Sequence, residues 1–121
     1  MRLRGIRGAI TVEANTAEDI LFRTRELLEA MVEKNGLEED DVVSALFSVT
    51  DDLDAVFPAA AARQMGWVHT PLMCTCEIPV PGSLRACVRV LLHVYTRREK
   101  DELVHVYMYG ARELRPDCGP E

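Results

Sequence analysis

Three charged side chains lie in apolar stretches of the sequence and are the first candidates for chemistry. Arg89 lies in the run Cys-Val-Arg-Val-Leu-Leu, Glu77 ends the run Met-Cys-Thr-Cys-Glu, and Arg7 lies in Gly-Ile-Arg-Gly. A charge within a buried strand is costly unless it is paired and hydrogen-bonded. An arginine fork can bind a carboxylate in bidentate fashion, so the pattern suggests a site for a small anion. A strand arginine that points to solvent or pairs with an acid, Glu77 among them, fits the same pattern.

The cysteines offer a second kind of chemistry. Cys74 and Cys76 form a C-x-C pair, which suggests a zinc site completed by His69, His93 or His105. Zinc sites more often use C-x-x-C, and no second cysteine pair follows. A cysteine nucleophile with a histidine base is the other option, but no signature of such an enzyme is present. We therefore expect reduced thiols and no metal.

Composition limits the classes of partner. The 121 residues carry a formal net charge of −6, which argues against nucleic acid or an anionic membrane as partner. All but two of the 14 basic residues are arginines, the exceptions being Lys34 and Lys100. No apolar run has the roughly 20 residues of a membrane span, and the N-terminal residues lack a signal-peptide core. We expect one cytoplasmic domain over residues 1–121, with a mobile tail at 115–121.

The hydrophobic patterns predict about five strands, one long helix and one or two short ones. The helix is expected to begin at a cap formed by Thr16 with Asp19 or by Asn15 with Glu18, and to end at Asn35-Gly36. Its predicted buried face consists of Ile20, Leu21, Thr24, Leu27, Leu28, Met31 and Val32. The other predicted elements are strands at 3–12, 42–50, 68–78 and 84–95, a short helix at 58–65, and a helical turn followed by an edge strand within 103–114. The fold class is α+β, a mixed sheet with the helix on one face.

Six blocks in this order resemble the monofunctional trimeric AroH class of chorismate mutases. They cover essentially the whole chain, and together they are highly specific. The blocks are Arg-Gly-Ile-Arg-Gly-Ala at 4–9, Asp-Leu-Asp-Ala-Val-Phe-Pro-Ala at 52–59, Cys-Thr-Cys-Glu at 74–77, Cys-Val-Arg-Val at 87–90, His-Val-Tyr at 105–107 and Leu-Arg-Pro-Asp at 114–117.

The resemblance implies a homotrimer with a pseudo-α/β-barrel core and sites in clefts between subunits. It implies that Arg7, Arg89 and Tyr107 contact the carboxylates and ether oxygen of chorismate, while Glu77 accepts the ring hydroxyl with Cys74 close by. The residues implied to line or close the pocket are Phe57, Arg63, Met73, Thr75, Cys76, Leu114 and Arg115. Ala60 and Met73 depart from the family, where lysine and threonine are common, and one residue is missing near Gly66.

The implied reaction is the Claisen rearrangement of chorismate to prephenate, which needs no cofactor. On a regular strand Cys74 and Glu77 would face opposite sides, so a shared pocket requires the strand to bulge or end between them. Two other hypotheses remain at this point. One is an imine or enamine deaminase of the RidA type, whose motifs we do not find; the other is a non-catalytic trimer that binds an aromatic or dicarboxylate metabolite.

Overall fold

The computed structural model describes residues 1–114, and these form a five-stranded mixed sheet with one long helix. The strands are β1 Arg2–Thr11, β2 Val42–Val49, β3 Leu72–Cys76, β4 Cys87–Thr96 and β5 Val106–Met108. The α-helices are α1 Ala17–Asn35 and α2 Ala59–Gln64, and 3-10 turns occupy Glu39–Asp41, Lys100–Glu102 and Tyr109–Leu114. The predicted fold class is confirmed. The predicted mobile tail lies outside the described residues.

The strand order is β3-β2-β4-β1-β5, with β4 at the centre as its apolar sequence predicts. The strands β1 and β2 flank β4 antiparallel, while β5 and β3 pair in parallel with β1 and β2. The first and last strands of the described chain are therefore neighbours, and the site residues of both meet on one half of the sheet.

Helix α1 begins and ends where the sequence predicts. Of the two possible caps, Thr16 is used: its hydroxyl accepts the Asp19 N–H at 3.1 Å. The helix ends at Gly36, whose φ of 62° is the left-handed conformation that glycine adopts most easily. Both signals are local, which is why the sequence alone locates them.

The core lies between α1 and one face of the sheet. The fully buried side chains of α1 pack against those of the three central strands, which include Ile6, Ile10, Phe47, Val88, Val90, Leu92 and Val94. On the helix these are Ile20, Thr24, Leu27, Leu28 and Met31, whereas Leu21 and Val32 are only partly buried. The helix lies so close to β1 that a Cβ on Gly8 would come within 2.5 Å of the Met31 Sδ.

Three predicted boundaries are wrong. The strand predicted at 68–78 is limited to β3, because the chain turns at Gly66, with φ of 100°, and the Val68 N–H bonds back to the Gly66 carbonyl. The strand predicted at 84–95 starts at Cys87, after Ala86 with φ of 54°. The predicted edge strand near the C-terminus is β5, only three residues long, and the segment after it forms a 3-10 turn.

The second face of the sheet, opposite α1, is covered within residues 1–114 only near Ala9 and Cys87, where the C-terminal 3-10 turn packs on it. We call it the open face. Apolar side chains are exposed on it, among them Leu3, Leu46, Met73 and Tyr95. No helix within residues 1–114 has the length and apolar character needed to cross a membrane.

Candidate active site

A row of register partners crosses all five strands on the open face, with Arg89 at its centre. Ser48 and Ala9 are the partners of Arg89 on β2 and β1. Beyond them, Thr75 pairs with Ser48 and Tyr107 pairs with Ala9. Small side chains on both sides leave the space beside the guanidinium open, and the Arg89 side chain is 47% exposed. The expected cost of a buried charge is therefore avoided.

Arg7 lies on the same face, two residues from Ala9 along β1, where it pairs with Leu91. Its backbone N–H donates to Nδ1 of His105 at 3.0 Å. This side-chain bond extends the contact between β1 and β5 by one residue before the backbone pairing begins at Gly8 and Val106. Arg7 and Arg89 thus place two guanidinium groups on neighbouring strands around one space.

Glu77 comes directly after β3, and its N–H donates to the Val49 carbonyl at 2.8 Å. Its Oε2 lies 3.6 Å from Nε of Arg89, and the side chain is 26% exposed. The sequence allowed both a salt-bridge partner and a ligand-binding carboxylate for Glu77, and the geometry provides for both. At this distance the two groups form an ion pair without a hydrogen bond, and both side chains stay partly exposed.

These side chains surround a cavity of about 380 Å³, which we call the arginine cavity. That volume is within the range of pockets for small molecules. Six of the lining residues were predicted from the sequence: Arg7, Thr75, Glu77, Arg89, Tyr107 and Leu114. The full lining is Arg7, Gly8, Ala9, Leu46, Ser48, Thr75, Glu77, Arg89, Val90, Leu91, Tyr107 and Leu114.

A second cavity, of about 660 Å³, contains a different part of the predicted site. It is lined by Phe57, Cys74, Thr75 and Cys76, together with residues of the loop that precedes α2. Among residues 1–114, Thr75 alone lines both cavities. Cys74 packs against the core instead of beside Glu77, since side chains alternate along β3. Within one chain the two cysteines and Phe57 are thus apart from the arginine cavity.

Two predicted residues within the described range, Arg63 and Met73, line neither of these cavities. Arg63 lies near the end of α2 and is exposed, and Met73 lies on β3 beside Leu46 and His93. Arg115 lies outside the described residues.

The buried Cys87 is not a reactive thiol. Burial raises the pKa of the Cys87 thiol to about 11; the Arg89 charge opposes that rise and the Glu77 charge adds to it. A thiol with this pKa stays protonated at neutral pH and is a poor nucleophile. Within residues 1–114 no three His, Cys, Asp or Glu side chains are grouped so that they could hold a metal ion.

Sequence reasoning missed the small and apolar residues of the arginine cavity, Ser48, Ala9, Leu46 and Leu91 among them. None of them has a charged side chain or another group typical of an active site. The available signal was alternation: Leu91 is two residues from Arg89 on a strand and must share its face. Ser48 and Ala9 could not be found this way, because their position beside Arg89 depends on the register between strands.

Fold and cavity together define a small α+β domain with a pocket lined by two arginines and a glutamate. The chain matches the family described as chorismate mutase type I over residues 3–118. A chorismate mutase AroH of Bacillus subtilis (strain 168) is 48% identical over 118 residues, which is 97% of this chain and 93% of that protein. A chorismate mutase AroH of Thermus thermophilus is 49% identical over 116 residues, 95% of each.

The structural comparison agrees. A chorismate mutase from Clostridium thermocellum aligns with a TM-score of 0.90 and 57% identity, covering 91% of this chain and 98% of that one. The chain belongs to the chorismate mutase type I family, and its activity is that of an isomerase acting on chorismate. The family predicted from the sequence is confirmed, and a non-catalytic metabolite binder is not favoured.

Proposed function

We propose that chorismate is rearranged to prephenate in the arginine cavity, a step of aromatic amino acid biosynthesis, with Arg89 as the central catalytic residue. The observation that carries this proposal is the row of partners in which Arg89 has only Ser48 and Ala9 beside it. A guanidinium fixed by strand pairing and by Glu77, with open space on its outer edge, is suited to meet charge that develops on a bound molecule.

The reaction breaks a carbon–oxygen bond and forms a carbon–carbon bond in one cyclic step, with no nucleophile, metal or redox cofactor. As the carbon–oxygen bond lengthens, negative charge develops on the ether oxygen. Arg89 binds that oxygen more strongly in the transition state than in the ground state, which is what accelerates the reaction.

Arg7 and Tyr107 bind the carboxylates of the substrate in this proposal. The enolpyruvyl group of chorismate is flexible and must fold over the ring before it reacts, so holding the carboxylates removes an entropic part of the barrier. Glu77, ionised, accepts the ring hydroxyl. Leu114 closes the apolar side of the cavity.

The assembly we propose is a homotrimer in which each site is completed by a neighbouring subunit. Two observations support it: the apolar side chains of the open face lack cover, and the predicted site is divided between two cavities of one chain. In the trimer the arginine cavity of one subunit meets a second group from its neighbour. That group consists of Phe57, Arg63, Met73, Cys74, Thr75 and Cys76, with Cys74 thereby brought toward Glu77 and Arg115 near the cleft.

The net charge of −6 and the absence of a spanning helix in the described residues support a cytoplasmic enzyme without nucleic acid or membrane partners. Its proposed ligand is chorismate alone, with no cofactor.

The activity is tested by following the loss of chorismate absorbance with purified protein, without added metal or cofactor, and identifying the product. Saturable formation of prephenate is expected. A folded protein that binds chorismate and does not convert it would contradict the proposal.

The shared site is tested by mixing subunits. Arg89→Ala and Arg63→Ala proteins are each expected to be nearly inactive, and refolding them together should restore part of the activity, because some interfaces then contain both native halves. If each site were instead complete within a single subunit, the mixture would recover no activity. Sedimentation of the wild-type protein at the mass of three chains is the matching assembly measurement.

A further inference from the structure

Tyr109 stands out because its backbone has φ of 56° in a residue that is not glycine. The left-handed conformation is unfavourable for a side chain with a Cβ, and it persists where the surrounding contacts impose it. Tyr109 directly follows β5 and is the first residue of the 3-10 turn that ends at Leu114. It thus lies between the two residues of the C-terminal segment that line the arginine cavity, Tyr107 and Leu114.

The contacts that hold Tyr109 come from the helix on the far side of β1. The guanidinium of Arg23 lies 4.0 Å from the centre of the Tyr109 ring. The phenol donates to Oε2 of Glu26 at 2.8 Å. The Arg23 side chain is only 13% exposed and also lies 3.7 Å from the Glu13 carboxylate, so its position is restricted before it meets the ring. We call Arg23, Glu26 and Tyr109 the helix clamp.

The carboxylate of Glu26 depends on this contact. Its second oxygen, Oε1, is buried and has no hydrogen-bond partner among the residues that the structure describes. Removing the phenol would take from the part-buried Glu26 carboxylate the hydrogen-bond donor that it has among residues 1–114, and such groups are costly to leave unpaired. The phenol and the carboxylate therefore hold each other in place.

The next residue fixes the other side of the turn. The Gly110 N–H donates to Oγ1 of Thr11 at 3.0 Å, and a Cβ at Gly110 would lie 3.1 Å from two atoms of the Thr11 side chain. Beyond it Ala111 is fully buried against Ala9 and Tyr107, with Leu114 packed on the same cluster. The turn is thus tied to α1, to the end of β1 and to the floor of the cavity.

We propose that the helix clamp is a positioning device for catalysis: by fixing Tyr109 in its left-handed conformation it sets where Tyr107 and Leu114 stand on the wall of the arginine cavity. Tyr109 itself touches no substrate in this proposal. The inference rests on the proposed function of that cavity, and it extends the set of functional residues to the opposite side of the molecule.

The decisive variant is Tyr109→Gly, because glycine adopts a φ of 56° without strain and loses both contacts of the clamp. If relief of backbone strain were all that mattered, this variant would behave as well as the native protein. We expect instead that the amides of residues 109–114 exchange with deuterium about tenfold faster, as for a locally opened segment. We expect KM for chorismate to rise by about tenfold with kcat changed less, since substrate must now also order the segment.

Two companion measurements separate positioning from general damage. Tyr109→Phe keeps the ring over Arg23 and loses the bond to Glu26, so its KM should fall between those of the native and glycine proteins. Arg25→Leu is the matched control: Arg25 pairs with Glu29 at 3.0 Å on the same helix, away from Tyr109, and neither exchange nor KM should change.

Native exchange in Tyr109→Gly, or faster exchange with an unchanged KM, would overturn the proposal. Failure of the native protein to convert chorismate would instead refute the proposed function. The clamp would then be judged on exchange at residues 107 and 114, which requires no turnover.

Discussion

The two faces of the sheet use the same strands in opposite ways. Toward α1, alternate residues of β4 are fully buried and apolar, Leu92 among them. Toward the open face the intervening residues are Arg89, Leu91, His93 and Tyr95, half-buried or exposed. Because side chains alternate along a strand, residues that stabilise the fold face α1, and the residues between them are free to bind a ligand on the open face. Substitutions at neighbouring positions should separate the two properties.

Arg89→Ala should cause the largest loss, and it should fall on activity alone. Removing a fixed charge at the reacting oxygen is expected to cost at least about 3–4 kcal/mol of transition-state stabilisation, by analogy with an oxyanion donor. Chorismate turnover and thermal unfolding are measured together; turnover should nearly vanish while the unfolding midpoint stays close to native. Arg89→Lys should also be poor, because an ammonium lacks the guanidinium fork. Near-native turnover in Arg89→Ala would refute the assignment.

Leu92→Ala should show the reverse. Leu92 is fully buried against α1, and emptying such a position costs about 2–5 kcal/mol of the free energy of unfolding. The matched variant is Leu91→Ala, one residue away on the open face and lining the arginine cavity, where the loss of unfolding free energy should be smaller. Denaturant unfolding compares the two. Equal losses would contradict the division between the faces.

Gly8→Ala tests the contact between β1 and α1. Its Cβ would overlap the buried Met31 side chain and come within 3.2 Å of Leu27, and overpacking of this kind costs about 1–3 kcal/mol. Gly5 on the same strand has room, since a Cβ there meets only the Leu91 Cδ1, at 3.7 Å. Gly8→Ala should therefore lower the unfolding midpoint more than Gly5→Ala does, and the opposite order would contradict the close packing described for Gly8.

The smallest expected effect concerns Asp52, whose carboxylate fixes the start of β4 by accepting the Thr50 hydroxyl and the Ala86 N–H. Burial acts to raise the pKa of Asp52, but the bond from Thr50, the charge of Arg85 and the Ala86 N–H lower it below its ordinary value of 3.8. A lowered folded-state pKa gives stability that is present above the ordinary pKa and is lost as the pH falls through the lowered one.

Asp52→Asn should therefore lower the free energy of unfolding by about 1 kcal/mol at pH 7, the usual worth of one hydrogen bond, and by less as the solution becomes strongly acidic. Asp40→Asn, at an exposed aspartate, is the control and should have no effect at either pH. A difference between native and Asp52→Asn proteins that stays constant into acid would contradict the lowered pKa.

Features fixed by near neighbours in the sequence were predictable. The cap at Thr16, the end of α1 at Gly36 and the central place of β4 each depend on a few adjacent residues or on one apolar run. The start of β3 was not predictable, because the apolar residues before it make their backbone hydrogen bonds in a turn at Gly66 instead of in the sheet. Local turn chemistry outweighed strand propensity there.

The candidate site also contains residues that the local sequence predicts and residues that it does not. The charged members, Arg7, Glu77 and Arg89, could be proposed from their contrast with apolar neighbours, and the resemblance supplied their roles. The row that places Ser48 and Ala9 beside Arg89 could not be predicted, since the register between strands depends on segments that are distant in the sequence. The helix clamp could not be predicted from the sequence either. Tyr109 lies 83 residues from Glu26, and each member has the sequence context of an ordinary surface residue.

The parallel pairing of β1 with β5 has a consequence for biosynthesis of the protein itself. During translation β1 leaves the ribosome well before β5, yet its outer edge can be paired only when residues 106–108 have emerged. Domains form as their chain is delivered from the N-terminal end. A nascent chain that stops before β5 would thus expose the edge of β1 beside Arg7.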